Sequence, residues 1–110
     1  AVDYAIAAEG ADAKLSELAI GIGPFVVGPA VERKIGLSGY TQLAIDATQW
    51  RNADWARKKG LYAELHPTIE GMDESIERLT YSLVHSSPAA IAELKKVFWK
   101  GTEHWDKLLL

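Results

Sequence analysis

One carboxylate of this chain, Glu17, stands at the start of an apolar segment that glycine and proline interrupt repeatedly. The segment, residues 18–29, reads LAIGIGPFVVGP and carries no charged side chain. Apolar neighbours remove hydration from a charged carboxylate, so Glu17 would exchange a proton more readily near neutral pH. A carboxyl group in this setting can serve as a general acid or base for a substrate that the loop holds. From these residues alone, a surface or helix-capping carboxylate is the competing interpretation.

Metal and cofactor chemistry find little support in the sequence. The three histidines, His66, His85 and His104, are far apart and lack the short spacing of metal ligands. The chain has no cysteine, which excludes disulfides and thiolate metal sites. Gly21 and Gly23 lack the spacing and the following helix of a dinucleotide-binding motif. We therefore predict neither a metal site nor a cofactor.

The composition is that of one globular domain. The chain has 110 residues, of which 48% are hydrophobic and 25% are charged. A net charge of −3 predicts neither nucleic acid nor an anionic membrane surface as a partner. No apolar run is long enough to span a bilayer, so we expect no membrane association. The lack of cysteine fits a reducing compartment, and we predict a cytoplasmic location.

The elements that must position Glu17 begin with two predicted strands. Residues 2–8 are mostly small and apolar, as in a strand covered on both faces, and residues 14–20 predict a second short strand. Two strands do not form a stable sheet alone in water. We therefore expect further strands from outside this chain, either in an N-terminal part of the same protein or in another subunit.

Helices are predicted after the apolar loop. Pro29 suits a first helical position and Gly36 the position that ends a helix, which predicts a helix over residues 30–35. Ser38 is the predicted cap of a second helix that extends to about residue 46.

Residues 53–59 form the next predicted helix, which Asn52 caps and Gly60 ends. A short strand over residues 61–65 follows, and Pro67 interrupts it.

The C-terminal third carries two apolar stripes at helical spacing. Ser87 and Pro88 form a cap and first-position pair between the two helices. The stripes are Met72, Ile76, Leu79, Thr80, Leu83 and Val84 on the first helix and Ile91, Leu94, Val97 and Phe98 on the second. With the terminal Leu108, Leu109 and Leu110, these faces predict association with other elements or subunits.

A collinear series of landmarks resembles the crotonase family, the enoyl-CoA hydratases and isomerases. The resemblance runs over most of the chain. Its landmarks are Asp3, Glu9 and Ala11, Glu17, Gly21 and Pro24, Ile35-Gly36, Ala56, Gly60 and Leu61, and Ser86-Ser87-Pro88. Each landmark is weak, but their order is specific for the family.

The resemblance implies a fold and a division of the chain. The fold class is α/β: the C-terminal portion of the ββα spiral of the crotonase fold, predominantly helical. Residues 1–65 would form the last part of the spiral core. Residues 66–110 would form a helical oligomerisation region, through which the family assembles as trimers or hexamers.

The resemblance also implies an activity. Glu17 matches the catalytic glutamate of the family, and Gly23, Pro24 and Phe25 fall in its substrate-binding loop. The substrate would be an acyl-CoA thioester, with CoA as part of the substrate and no separate cofactor. The family's second glutamate and its oxyanion hole lie N-terminal to this chain, so the N-terminal part of the same protein is an expected partner.

Departures from the family pattern concern the loop. Ser16 replaces the usual proline, and the sequence from Phe25 to Pro29 replaces a glycine-rich stretch. This detail resembles methylglutaconyl-CoA hydratase-like members, which favours a hydratase over an isomerase.

Lys95, Lys96 and Lys100 can be read as contacts for a CoA phosphate or as a solvated helix face. A non-catalytic helical oligomerisation or binding fragment is the alternative function.

Overall fold

The computed structural model of the protein describes residues 2–105. Its elements, in chain order, are β1 (Ile6–Ala8), a 3-10 helix (Glu17–Ile20), α1 (Gly28–Ile45), α2 (Ala53–Lys59), β2 (Glu64–His66), α3 (Ile69–Val84) and α4 (Pro88–Phe98). Most of the described residues are helical, as expected for the C-terminal portion of an α/β protein.

The two strands pair in parallel, with Ile6 opposite Glu64 and Ala8 opposite His66. Flanking hydrogen bonds extend the pairing: Ala63 N donates to Ala5 O at 2.8 Å, and Glu9 N donates to His66 O at 2.9 Å. The strand predicted over residues 61–65 therefore lies slightly later in the chain. Helix α3 packs against both strands. In the described part of the chain these are the only two strands.

The strand predicted over residues 14–20 is wrong. Only Ala13 forms a bridge, through two hydrogen bonds of 2.8 Å with the backbone of Arg51. Residues Glu17–Ile20 form a 3-10 helix instead, which Gly21 ends with a positive φ of 84°. Because no strand of residues 2–105 pairs with this segment, its backbone satisfies its hydrogen bonds locally, and a left-handed glycine completes the turn.

Helix α1 is two helical segments joined at Gly36, whose φ of 75° and ψ of 170° lie outside the helical region. This confirms the predicted end of the first segment. The predicted cap of the second segment is wrong, because Leu37 is already helical and Ser38 lies in the first turn. The Ser38 hydroxyl accepts a hydrogen bond from Gln42 Nε2 at 3.3 Å instead.

The other helix ends follow the local sequence. Asn52 and Ser87 each accept a hydrogen bond from the backbone N–H three residues later, at 2.8 and 3.2 Å. Gly60 ends α2 with a φ of 92°. Thr68 caps α3 in the same way as Asn52 caps α2, at 3.0 Å, which the sequence analysis did not anticipate.

The buried core is small and consists mainly of alanine. The buried apolar residues among those described are Ala7, Ile35, Leu43, Ala47, Ala53 and Ala56. By contrast, six residues of the predicted stripes are between 41% and 73% exposed: Ile76, Leu83, Val84, Leu94, Val97 and Phe98. The part of the chain that the structure describes therefore leaves these faces largely exposed. Leu108, Leu109 and Leu110 lie outside the described residues.

Polar contacts attach α4 to the start of the chain. Asp3 accepts a hydrogen bond of 2.5 Å from Trp99 Nε1 and pairs with Lys95 Nζ at 3.0 Å. Arg33 of α1 donates to the carbonyl oxygens of Phe98 and Lys100, at 2.5 and 2.9 Å, near the C-terminal end of α4. Cations at this end also oppose the negative helix dipole. The family landmark Asp3 thus has a structural role in joining distant segments.

Candidate active site

Glu17 is the first residue of the 3-10 helix and is half-buried. One of its carboxylate oxygens, Oε2, is buried and has no hydrogen-bond partner among residues 2–105. Most buried polar atoms in proteins are satisfied, so an unsatisfied one needs an explanation, and a catalytic role is one of the usual ones.

The loop begins directly from Glu17, whose carbonyl accepts a hydrogen bond of 3.1 Å from Ile22 N. Beyond Ile22 lie the three residues predicted to contact substrate. Pro24 is buried, whereas the Phe25 side chain projects outward and is 79% exposed. The Phe25 ring lies so close to Gly23 that a Cβ atom there would overlap it. The structure therefore groups Gly23, Pro24 and Phe25 in one turn that follows Glu17.

Two cavities border the segment that leads from this loop into α1. The first, of about 330 Å³, is lined by Phe25, Gly28, Pro29, Glu32 and Tyr40. The second, of about 610 Å³, is mostly apolar and contacts Val26 and Val27. Glu17 lines neither cavity. Neither cavity therefore encloses the Glu17 carboxylate.

A second glutamate, Glu64 of β2, was not singled out by the sequence. Its carboxylate accepts hydrogen bonds from the Tyr4 hydroxyl at 2.6 Å, from the Ser75 hydroxyl, and interacts with His66 Nε2 at 2.8 Å. These groups, Ser75 first, lower the pKa of Glu64 to about 2. The His66 contact could have been anticipated, because residues two apart on a strand share a face. Because three protein groups already contact its carboxylate, Glu64 links the strands to α3 and is not a candidate for binding a ligand.

The lysines considered as CoA contacts are partly engaged elsewhere. Lys95 pairs with Asp3, and Lys96 pairs with Glu93 at 3.0 Å on the surface of α4.

Among residues 2–105, no group of three or more histidine, aspartate or glutamate side chains is arranged to hold a metal ion. The helices within that range are also too short or too polar to cross a membrane.

A parallel strand pair with a helical cover, and a glutamate at the start of a glycine-proline loop, define an α/β protein with a crotonase-like fold. The model of the enoyl-CoA hydratase/isomerase family matches residues 1–108. The chain belongs to the enoyl-CoA hydratase/isomerase family. Comparison with curated protein sequences gives no match.

Solved structures show the same fold. An enoyl-CoA hydratase/isomerase from Marinobacter aquaeolei is 27% identical with a TM-score of 0.82, and the match covers 97% of this chain and 40% of that one. An enoyl-CoA hydratase from Mycobacterium smegmatis is 25% identical with a TM-score of 0.81, over 92% of this chain and 38% of that one. An enoyl-CoA hydratase from Bacillus halodurans is 23% identical with a TM-score of 0.83, and the match covers 97% of this chain and 43% of that one. At this identity the likeness shows the fold alone.

These matches confirm the predicted fold class. They also show that the chain spans only about two fifths of the length of the solved structures that it matches, between 38% and 43% in the three cases above.

Proposed function

We propose that the protein to which this chain belongs converts an enoyl-CoA thioester by hydration or isomerisation, with Glu17 as the acid/base at the α-carbon. In hydration, the water oxygen bonds to the β-carbon and the α-carbon receives a proton. The Glu17 carboxyl group is suited to deliver that proton, and the reverse reaction would return it. The observation that carries the proposal is the buried Oε2 of Glu17, which has no hydrogen-bond partner among residues 2–105, in a chain of this family.

Both reactions pass through an enolate-like state, whose charge needs fixed N–H donors. The N-terminal part of the same protein would supply these donors and a second glutamate. The short length of this chain relative to its solved relatives supports that division. We expect this chain by itself to be inactive, since the enolate would lack its stabilising donors. No cofactor is required, because CoA is part of the substrate.

Gly23, Pro24 and Phe25 are the proposed substrate contacts in this chain. The exposed Phe25 ring is the group of this turn that a ligand would meet first. Its bulk would narrow the pocket relative to a glycine-rich loop and so influence which acyl groups fit. The loop's resemblance to methylglutaconyl-CoA hydratase-like members favours hydration over isomerisation.

The proposed assembly is a homo-oligomer, a trimer or hexamer, formed through the region predicted as residues 66–110. The exposed apolar residues of α3 and α4 support it, because soluble monomers rarely leave large apolar patches in water. The proposed location is the cytoplasm.

Replacing Glu17 with glutamine tests the catalytic role. In the complete protein, Glu17→Gln keeps the shape of the side chain but removes the exchangeable proton. We expect turnover of crotonyl-CoA or a branched enoyl-CoA to fall by about 10²-fold or more, with little change in binding of the thioester. Steady-state kinetics measures both.

Glu9→Gln is the matched control, because Glu9 is an exposed glutamate in the same part of the chain. Turnover of that variant should equal that of the wild type. Near-wild-type turnover of Glu17→Gln would remove Glu17 from the catalytic residues. Mass spectrometry and an activity assay of the purified protein address the alternative function: a lone species of 12.1 kDa without enoyl-CoA activity would favour a non-catalytic fragment.

A further inference from the structure

The carbonyl oxygen of Pro24 accepts two hydrogen bonds. Gly28 N donates one at 2.8 Å, which closes the turn that leads into α1. The Tyr40 hydroxyl donates the other at 3.2 Å, from the second half of α1. Because Pro24 is buried, its carbonyl cannot easily replace these partners with water. Tyr40 therefore connects the turn of predicted substrate contacts to a distant part of the helix.

Gly28 makes room for this connection. A Cβ atom at Gly28 would overlap the Tyr40 hydroxyl and would lie 2.9 Å from Cζ of the same ring. Carbon atoms in favourable contact are about 3.5–4.0 Å apart, so no side chain fits at residue 28 while the ring stays in place. Gly28 and Tyr40 thus behave as a complementary pair.

The change of direction at Gly36 makes the contact possible. In a straight helix, Tyr40 would lie about 18 Å along the axis from Gly28, beyond the reach of a tyrosine side chain. Gly36, with φ of 75° and ψ of 170°, interrupts the helix between them. The second segment can then return Tyr40 to the start of the first.

Tyr40 also borders the place where a ligand would lie. Its side chain and that of Phe25 line the same cavity of about 330 Å³ beside the loop. The hydroxyl contact with Pro24 therefore fixes the residue immediately before the exposed Phe25 ring. A substitution of Tyr40 would therefore alter the position of the proposed substrate contacts and leave Glu17 unchanged.

We propose that Tyr40 is a positioning residue for substrate, which holds the turn of Gly23, Pro24 and Phe25 through the Pro24 carbonyl. It does not take part in proton transfer. The inference rests on the proposed function, because the turn matters to catalysis only if it contacts the thioester.

Tyr40→Phe in the complete protein removes only the hydroxyl group. One neutral hydrogen bond is worth about a fivefold change in an equilibrium, so KM for crotonyl-CoA should rise about fivefold. The value of kcat should stay within about twofold, since Glu17 is unaffected. Tyr81→Phe is the control, because Tyr81 lies on α3, is 69% exposed and lines neither cavity beside the loop. It should leave KM unchanged.

A reciprocal exchange sharpens the test. A serine hydroxyl can donate to the carbonyl four residues earlier, so Ser at position 28 could replace the Tyr40 contact with Pro24. Gly28→Ser alone should raise KM, because its side chain collides with the Tyr40 ring. Tyr40→Ala alone should raise KM through loss of the contact. The double variant should have a lower KM than either single variant.

Amide hydrogen exchange over residues 25–28 separates this inference from the proposed function. Tyr40→Phe should accelerate exchange there, whether or not the protein is active. Unchanged exchange, or an unchanged KM in an active enzyme, would overturn the positioning role. So would a double variant whose KM exceeds both single variants. A wild-type protein that turns over no enoyl-CoA would instead refute the proposed function, and with it the substrate role of the turn. Amide hydrogen exchange would still decide whether Tyr40 holds the turn in place.

Discussion

Glu17 and Glu64 differ in the partners that surround their carboxylates. Glu17 has a buried oxygen with no partner among the described residues. Glu64 receives hydrogen bonds from Tyr4 and Ser75 and pairs with His66. Charged acceptors make hydrogen bonds about twice as strong as neutral ones, so ionised Glu64 stabilises the contact between the strands and α3.

The Glu64 cluster predicts a pH dependence of stability. Because the pKa of Glu64 is lowered from 4.5 to about 2 in the folded state, its contribution is present above about pH 4.5 and is lost as the pH falls toward 2. In the complete protein, Glu64→Gln should lower the melting temperature at about pH 7. The difference from wild type should shrink as the pH approaches about 3. Circular dichroism melts over that range measure it.

The pKa of Asp3 is also lowered, because Lys95 and Trp99 donate hydrogen bonds to it. Asp3 is present in both the wild type and Glu64→Gln, so its effect cancels in the difference between their melting temperatures. Glu93→Gln is the control, since Glu93 is exposed and pairs only with Lys96 at the surface. Its melting temperature should follow the wild type at every pH. A Glu64→Gln difference that is constant with pH would contradict the role of the charge.

At the scale of elements, the bend in α1 links helix geometry to the site. The first segment of α1 begins at Gly28 and follows the loop, and the second carries Tyr40. Gly36 joins them in a backbone conformation that is nearly exclusive to glycine. The helix direction, and through it the contact between Tyr40 and Pro24, therefore depends on one residue that has no side chain.

Replacing Gly36 with alanine should be costly. Alanine would be strained in the backbone conformation that Gly36 adopts, so the variant should lose about 1–3 kcal/mol in the free energy of unfolding. Denaturant unfolding of the complete protein, followed by circular dichroism, measures this loss. Leu37→Ala is the control, because Leu37 is 65% exposed and its loss should cost less than about 0.5 kcal/mol. Equal stability of Gly36→Ala and wild type would show that α1 tolerates another path at this point.

At the scale of the whole molecule, the chain has a small core and extensive apolar faces. Its buried apolar residues are mostly alanines, whereas the larger side chains of α3 and α4 are exposed. Helices of this length gain most of their stability by packing an apolar face. We therefore expect the rest of the protein or other subunits to cover these faces.

A charge on the apolar face of α4 tests the proposed assembly. Phe98→Glu in the complete protein should cause dissociation or loss of solubility, because a buried unpaired carboxylate is strongly unfavourable. Val84→Glu applies the same test to the end of α3. Lys96→Glu is the control, since Lys96 is 73% exposed and its pair with Glu93 is a surface contact. Analytical ultracentrifugation compares the three variants.

An unchanged sedimentation coefficient and unchanged stability in both Phe98→Glu and Val84→Glu would place the subunit interface elsewhere. Dissociation of the Lys96→Glu variant would show that charge alone, and not the apolar face, controls assembly.

Local features of the structure could be predicted because neighbouring residues determine them. Asn52 and Ser87 cap helices through backbone groups three residues away, and Gly60 ends α2 by its own left-handed conformation. The family and its fold also followed from the order of short landmarks such as Glu17. The caps and the helix end needed only the residue and its immediate sequence, whereas the family needed the order of landmarks along most of the chain.

Tertiary structure decided the features that join distant residues. Residues 14–20 have strand-like side chains, but no strand pairs with them in the described part of the chain, and residues 17–20 form a 3-10 helix. Glu64 meets Tyr4, 60 residues away, because β1 and β2 are parallel neighbours. Tyr40 reaches Pro24 because α1 bends at Gly36. Such contacts depend on how elements are placed in space, and side-chain periodicity carries no information about that placement.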